Sequence, residues 1–182
     1  MFRKGIDTKD NFVEHIRGKF TRLEKKGKLL NELAITDAFA FKKHDSFEHP
    51  LCLLNSCINN VKKLNKVTLL VDKKHYKNKT KKDFQEILNQ NFLENSVQNV
   101  DVIFDSDFHD RFWFINNKKA FFVGTSLNTI GNKHFFVQDT YFKSKDVKVL
   151  LDLCFNEDNY DACGIIRERW CYEKQSGLWN EV

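Results

Sequence analysis

The chain has 182 residues, the length of one ordinary domain with short terminal additions. Hydrophobic residues make up 41% and charged residues 30%, which is typical of a soluble globular protein and excludes a disordered chain. No apolar run approaches the roughly 18 residues that cross a bilayer, and the N-terminus lacks the apolar core of a secretory signal. The five cysteines show no zinc-site spacing, so we expect reduced thiols in a cytoplasmic protein.

Charge is distributed unevenly along the chain, whose net charge is +5. Residues 1–33 carry nine Lys and Arg against five Asp and Glu, residues 34–138 carry fifteen against eleven, and residues 139–182 carry six against nine. A basic body of this kind favours a polyanionic partner, either nucleic acid or an anionic membrane surface. We expect nucleic acid rather than a membrane, because no stretch pairs a basic helical face with exposed Trp or Leu.

Residues 1–33 are predicted to form an N-terminal helical extension. Apolar residues recur mostly at helical spacing from Phe12 to Leu33, which indicates one or two amphipathic helices. Breaks are expected at Gly18 and Gly27, because glycine interrupts helical patterns.

Residues 34–155 are predicted to form one α/β domain in which strands and helices alternate. The predicted elements, in chain order, are a strand at 33–39 that contains Asp37, a helix at 49–63, a strand at 67–71, a helix at 79–95, a strand at 100–104, strands at 111–115 and 119–123 around an Asn116-Asn117 turn, a strand at 134–138 and a helix at 143–155. Helical crossovers of this length join parallel strands, so we expect a mixed, mainly parallel sheet flanked by helices. The aromatic tail at 156–182 is expected to pack on the domain or to form an interface.

The chemistry-bearing residues lie between Asp107 and Asn128. Strand alternation would place His109, Arg111 and Trp113 on one face. The loop Gly124-Thr125-Ser126-Leu127-Asn128 follows the next strand. An imidazole, a fixed cation, a hydroxyl and an amide at one strand end suit a phosphate ester, with His109 and Arg111 in catalysis and Thr125, Ser126 and Asn128 binding phosphate.

These two segments resemble the phospholipase D superfamily, whose signature is His-x-Lys, then Asp, then Gly-Ser-x-Asn. His109-Asp110-Arg111 and Gly124-Thr125-Ser126-Leu127-Asn128 are most similar to a single-module variant with His-Asp-Arg and Gly-x-Ser-Leu. The resemblance spans about 120 residues and implies a phospholipase D-like fold, with extra N-terminal helices in this chain. It also implies a histidine nucleophile and no metal or other cofactor. Because the family's enzymes use two histidines and this chain has one such motif, the resemblance implies a homodimer.

The chain departs from the signature at three points. Arg111 stands where the family has Lys, and its guanidinium cannot lose a proton. The nearest match to the family's Asp is Asn116, and the Gly124-to-Asn128 spacing is one residue longer. These departures leave two functions open: a metal-independent phosphodiesterase or nuclease, or an inactive module that binds nucleic acid, an anionic lipid or a protein partner.

A second candidate site is the lysine run between residues 73 and 82. Six lysines in ten residues, beside an aromatic residue, suit contact with a nucleic-acid backbone, although such a run is also typical of a solvated loop. The predicted nucleic-acid-binding residues are Lys73, Lys74, Lys77, Lys79, Lys81 and Lys82. If the loop leaves the sheet at the predicted end, it lies near His109.

Overall fold

A computed structural model describes residues 6–42, 47–76, 79–105, 108–132, 134–140, 145–155 and 168–182. The described residues form one mixed sheet of eight strands in the order β6-β5-β4-β1-β2-β3-β7-β8. The strands are β1 (Glu32–Thr36), β2 (Lys66–Asp72), β3 (Asn99–Asp105), β4 (Phe112–Ile115), β5 (Lys119–Val123), β6 (Val137–Thr140), β7 (Arg169–Gln175) and β8 (Leu178–Glu181). The helices are α1 (Lys9–Lys25), α2 (Glu48–Ile58), α3 (Lys81–Asn91) and α4 (Lys145–Phe155).

The centre of the sheet is parallel, as the alternating pattern predicts. β1 pairs with β2 and β2 with β3, both in parallel, and α2 and α3 are the crossovers between them. The expectation of a mainly parallel sheet is wrong, however, because every other strand pair is antiparallel. The chain adds β4, β5 and β6 on one side and the β7–β8 hairpin on the other, and neighbours of this kind run in opposite directions. The α/β class itself is confirmed.

Helices cover both faces of the sheet. The larger core lies under α1, α2 and α3 and contains Phe12, Phe47, Phe84, Trp113 and Trp170. The other face carries a smaller core, which is closed by Val147, Leu150, Leu151 and Cys154 of α4. The central strand β2 is buried in six of its seven residues, as expected for a strand with helices on both sides.

The N-terminal helix differs from its prediction at one glycine. α1 runs unbroken through Gly18 and buries Phe12, Ile16 and Phe20, because the apolar stripe continues on both sides of that residue. It ends before Gly27, which adopts a positive φ of 68°. The amides of Gly27 and Lys28 donate to carbonyls of the last helical turn, which is a common way for a helix to end at glycine. None of the described helices is both long and apolar enough to cross a membrane.

Candidate phosphate-binding site

Three loops meet at the carboxyl end of β1. The carboxyl ends of β1 and β2 share this edge because the strands are parallel, and β4 begins here because it runs antiparallel to β1. Thr36 joins two of the loops, since its hydroxyl donates to the carbonyl of Asp110 at 2.9 Å and accepts from the amide of Phe112 at 3.0 Å. The sheet therefore brings residues 37–42, 73–75 and 108–111 to one edge, as site formation at strand ends predicts.

Asp37 anchors the loop that follows β5. Its carboxylate is 3% exposed and accepts hydrogen bonds from the Ser126 hydroxyl at 2.9 Å and from the Leu127 amide at 2.7 Å. The Phe39 amide donates to its other oxygen at 3.1 Å. Because these groups belong to segments almost 90 residues apart in the chain, Asp37 ties the end of β1 to the predicted phosphate loop.

The charge of Asp37 is expensive to bury and is only partly compensated. Burial raises the pKa of the Asp37 carboxyl to about 6, against the lowering effect of its hydrogen bonds with Leu127 and Ser126 and of the Arg111 charge. The Arg111 Nε lies 3.8 Å from the carboxylate, too far for a hydrogen bond, and it has no hydrogen-bond partner among the described residues. Arg111 thus neutralises Asp37 loosely and keeps part of its guanidinium exposed.

The loop residues assigned to phosphate turn inward. Ser126 and Asn128 are both buried, and the Asn128 amide donates to the carbonyl of Phe39. The half-buried Thr125 shares a hydrogen bond of 2.8 Å with Thr129. These predicted phosphate-binding residues lie at this strand end, and their contacts hold the loop against the segment that contains Asp37.

Phe39 is the centre of the surface above this buried layer. The His109 ring stacks on it, with 5.7 Å between centroids and 17° between planes, and the His75 ring lies 5.3 Å away. The Arg111 guanidinium carbon is 5.4 Å from the same centroid and the Lys42 Nζ is 5.1 Å from it. We call Phe39, Lys42, His75, His109 and Arg111 the Phe39 cluster.

His109 reaches this cluster by a route that differs from the prediction. β4 begins only at Phe112, so His109 and Arg111 precede the strand instead of alternating along it. Trp113 is buried in the larger core, whereas His109 is exposed. His109 and Arg111 still meet, because both contact the Phe39 ring.

Sequence reasoning missed Phe39, Lys42 and His75. One signal was present, since these residues lie within about six positions after the ends of β1 and β2, whose carboxyl ends must share an edge in a parallel pair. Partial burial and the charges of Lys42, Lys74 and Lys79 hold the pKa of His75 below its usual value, although Asp72 acts in the opposite direction. His75 is therefore mostly neutral at neutral pH and can accept a proton.

The lysine run lies beside the cluster, but several of its members are engaged. Lys73 pairs with Glu168 at 2.9 Å, and Lys81 pairs with Glu181 at 2.5 Å. Lys79 donates to the carbonyl of Phe41 at 2.8 Å.

The remaining lysines of the run divide into two groups. Lys74 and Lys82 are exposed, whereas Lys77 lies outside the described residues. Part of the lysine run therefore makes intramolecular contacts that stabilise the fold, and part of it is exposed to solvent.

Asn116, the nearest match to the family's Asp, lies at the opposite end of β1. Its side-chain oxygen accepts from the amides of Asn31 at 2.8 Å and Glu32 at 3.0 Å, and its amide donates to the carbonyl of Leu29. Asn116 and Asn117 have φ values of 49° and 51°, as a tight hairpin turn requires. Asn116 therefore clamps the β4–β5 turn and takes no part in the Phe39 cluster.

Among the described residues, no group of three His, Cys, Asp or Glu side chains lies close enough together to hold a metal ion. A comparison with known protein families finds no match, and a comparison with curated proteins finds no significant similarity.

Proposed function

We propose that the chain is a phospholipase D-like domain that binds phosphodiesters, with nucleic acid as its ligand, at the Phe39 cluster. One observation carries the proposal: four basic or titratable side chains from three separate loops surround a single phenyl ring. Basic groups beside an aromatic ring suit a nucleic-acid strand, because the cations pair with phosphates and the rings offer surfaces for bases. The shared position of the His-Asp-Arg and Gly-Thr-Ser-Leu-Asn segments at one strand end supports the phospholipase D-like part of the proposal.

The members of the site have different roles in this proposal. Arg111 and Lys42 supply positive charge to the phosphate, and His109 is the exposed imidazole beside it. Ser126 and Asn128 lie in the buried layer, where their hydrogen bonds hold the loop at 124–128 and the backbone of Phe39 in place. The site therefore binds phosphate with its outer layer of side chains and owes its shape to the inner layer.

The binding test uses Lys42, whose exposed side chain can be changed without disturbing the buried layer. Lys42→Gln is expected to weaken binding of a labelled single-stranded oligonucleotide and to lower the slope of log affinity against log salt by about 0.7, the loss of one phosphate contact. Lys62→Gln, at an exposed lysine in the connection between α2 and β2, is the matched control. Fluorescence anisotropy over a salt series measures both quantities. Equal slopes for wild type and Lys42→Gln would show that the cluster does not contact phosphate.

A second candidate function is hydrolysis of the bound phosphodiester. It is favoured by the exposed ring of His109 and by His75, which places another imidazole against the same phenyl ring within one chain. His109 would then act as the nucleophile or as the general acid, and replacing it by alanine would remove the imidazole that does so. A homodimer, which would bring two copies of His109 together, remains a prediction.

Metal-free assays separate hydrolysis from binding. His109→Ala is expected to abolish cleavage of DNA, RNA or a chromogenic phosphodiester in the presence of chelator, and to leave the circular dichroism spectrum unchanged. His134→Ala, at an exposed histidine elsewhere, is the control. Cleavage that survives His109→Ala would exclude this residue as the nucleophile. A wild type that binds but cleaves none of these substrates would leave binding as the function.

A further inference from the structure

A second basic surface lies at the end of the sheet opposite the Phe39 cluster. It consists of Lys19, Arg22, Lys26, Lys28 and Lys119, which we call the hairpin-end patch. The first four come from α1 and the segment that follows it, and Lys119 begins β5 directly after the β4–β5 turn. These residues are separated in sequence by up to 100 positions, so their proximity is a product of the fold.

The clamp made by Asn116 brings the two segments of the patch together. Its side chain hydrogen-bonds to the backbone of residues Leu29, Asn31 and Glu32, which follow Lys26 and Lys28. The hairpin turn is thereby held against the segment that joins α1 to β1, and Lys119 follows that turn as the first residue of β5. The patch is consequently built on fixed backbone.

Side-chain positions extend the patch along α1. Lys19, Arg22 and Lys26 are three and four residues apart, so they share one face of the helical segment. The Lys19 ammonium lies 5.3 Å from the centre of the Phe121 ring. Phe121 is two residues after Lys119 on β5, on the same face of the sheet, so helix and strand contribute to one continuous surface.

The charges of the patch are poorly compensated. Asp139 pairs with Lys19 at 2.5 Å, whereas Arg22, Lys26, Lys28 and Lys119 form no ion pair within the described residues. Partial burial, followed by the charges of Lys28 and Lys26, holds the pKa of the Lys119 ammonium below its usual value, although Asp139 acts in the opposite direction. These cations are therefore close enough to repel one another. Like charges held together in this way cost stability and attract a polyanion.

We propose that the hairpin-end patch binds the phosphate backbone of nucleic acid as a site separate from the Phe39 cluster. Its exposed groups are cations, and the aromatic residues beside them, Phe20 and Phe121, are buried. This arrangement suits contacts to phosphates that carry no base specificity. The two sites lie at opposite ends of β1, whose five residues span about 16 Å. At about 3.4 Å for each nucleotide, a strand of roughly ten nucleotides is long enough to reach both. The patch shares the ligand class of the proposed function but none of its residues.

The test removes charge from the patch in the full-length chain. The triple variant Lys26→Gln, Lys28→Gln, Lys119→Gln is expected to lower affinity for a single-stranded oligonucleotide of about 20 nucleotides at least tenfold. It should also reduce the salt slope by about 2, at about 0.7 for each lost phosphate contact. The double variant Lys145→Gln, Lys148→Gln is the control, because both lysines are exposed on α4, which covers the face of the sheet opposite to α1. Fluorescence anisotropy gives affinity and slope, and circular dichroism confirms the fold.

A second variant, which should strengthen binding instead of weakening it, provides an independent test. Asp139→Asn removes the carboxylate that pairs with Lys19 and is expected to tighten binding and to steepen the salt slope. Unchanged affinity and slope in both the triple variant and Asp139→Asn would overturn the proposal. So would a triple variant that loses only its binding to vesicles containing phosphatidylserine, because the exposed Leu29 within the segment would then mark a membrane surface. Failure of Lys42→Gln to alter binding concerns only the Phe39 cluster, so the two proposals fail separately.

Discussion

Replacement of Asp37 by Asn tests how the carboxyl end of β1 is held. The buried carboxylate accepts hydrogen bonds from Ser126, Leu127 and Phe39 and faces Arg111 at 3.8 Å. Asparagine has nearly the same shape but carries no charge. One of its polar atoms becomes a donor, so it forfeits one of these hydrogen bonds, at a cost of about 1 kcal/mol.

The pH dependence gives the larger and more specific effect. Burial raises the pKa of Asp37 from an ordinary value of 3.8 to about 6. Between these values the folded chain binds more protons than the unfolded chain, so the free energy of unfolding falls as the pH rises. The loss is complete above about pH 6 and amounts to about 3 kcal/mol, at about 1.4 kcal/mol for each unit of pKa.

Urea unfolding of both proteins at about pH 4.5 and about pH 7.5 measures this effect. The stability of Asp37→Asn relative to wild type should improve by about 2 kcal/mol at the higher pH, because only wild type buries a charge there. The histidines are present in both proteins, so their titration cancels in the difference. Asp110→Asn, at an exposed carboxylate of the same site, should show a much smaller change. A relative stability of Asp37→Asn that is the same at both pH values would refute the reasoning.

Two further predictions concern the hairpin turn and the assembly of the chain. Asn117→Ala, at a residue that shares the positive φ but makes no side-chain hydrogen bond to the described residues, is expected to lower the free energy of unfolding by about 1 kcal/mol. Asn116→Ala also removes three side-chain hydrogen bonds and should cost about 4 kcal/mol, at about 1 kcal/mol for each bond. Equal losses in thermal or urea unfolding would show that the turn geometry alone matters. The homodimer prediction is tested by light scattering at micromolar concentration, and a monomer throughout would leave His75 and His109 as the imidazoles available to the site.

The sequence predicted the framework of the sheet because local patterns specify it. The buried strands β2 and β3 and the capped helix α3 each carry their own periodicity, and α3 begins with a capping box at Thr80. The Asn116-Asn117 turn was likewise readable, because few residues other than asparagine and glycine accept positive φ values. The hairpin also specifies that β4 and β5 are antiparallel. The directions of the other added strands relative to the centre were not readable, since they depend on which edge of the sheet each strand joins.

The contacts of the site were beyond local patterns. The sequence near Ser126 and Asn128 does not indicate that these side chains hydrogen-bond to Asp37 and to the carbonyl of Phe39, because those partners are about 89 residues away. The backbone at the start of β4 is likewise held by a distant residue, because the Thr36 hydroxyl donates to the carbonyl of Asp110 and accepts from the amide of Phe112. The sequence assigned His109, Arg111 and the loop at 124–128 to one strand end. The membership of Phe39, Lys42 and His75, and the division into an inner and an outer layer, required the fold.

The uneven charge of the chain acquires a physical meaning in the structure. The acidic tail supplies Glu168 and Glu181, which neutralise Lys73 and Lys81 where β7 and β8 extend the sheet beyond β3. The densest run of lysines in the sequence is therefore the one that intramolecular contacts compensate in part. Some cations outside that run, such as Lys28 at the hairpin end, form no ion pair with a carboxylate among the described residues.

This distribution decides where a polyanion is attracted. A salt bridge between two side chains removes most of their combined field, whereas adjacent cations without partners add theirs together. The positive potential should consequently be strongest in the hairpin-end patch at one end of β1, and weaker over the lysine run and in the Phe39 cluster at the other end, where Arg111 faces Asp37. If a nucleic-acid strand binds, we expect it to follow the line between these ends, with its affinity governed by the uncompensated cations and not by the number of lysines in any one segment.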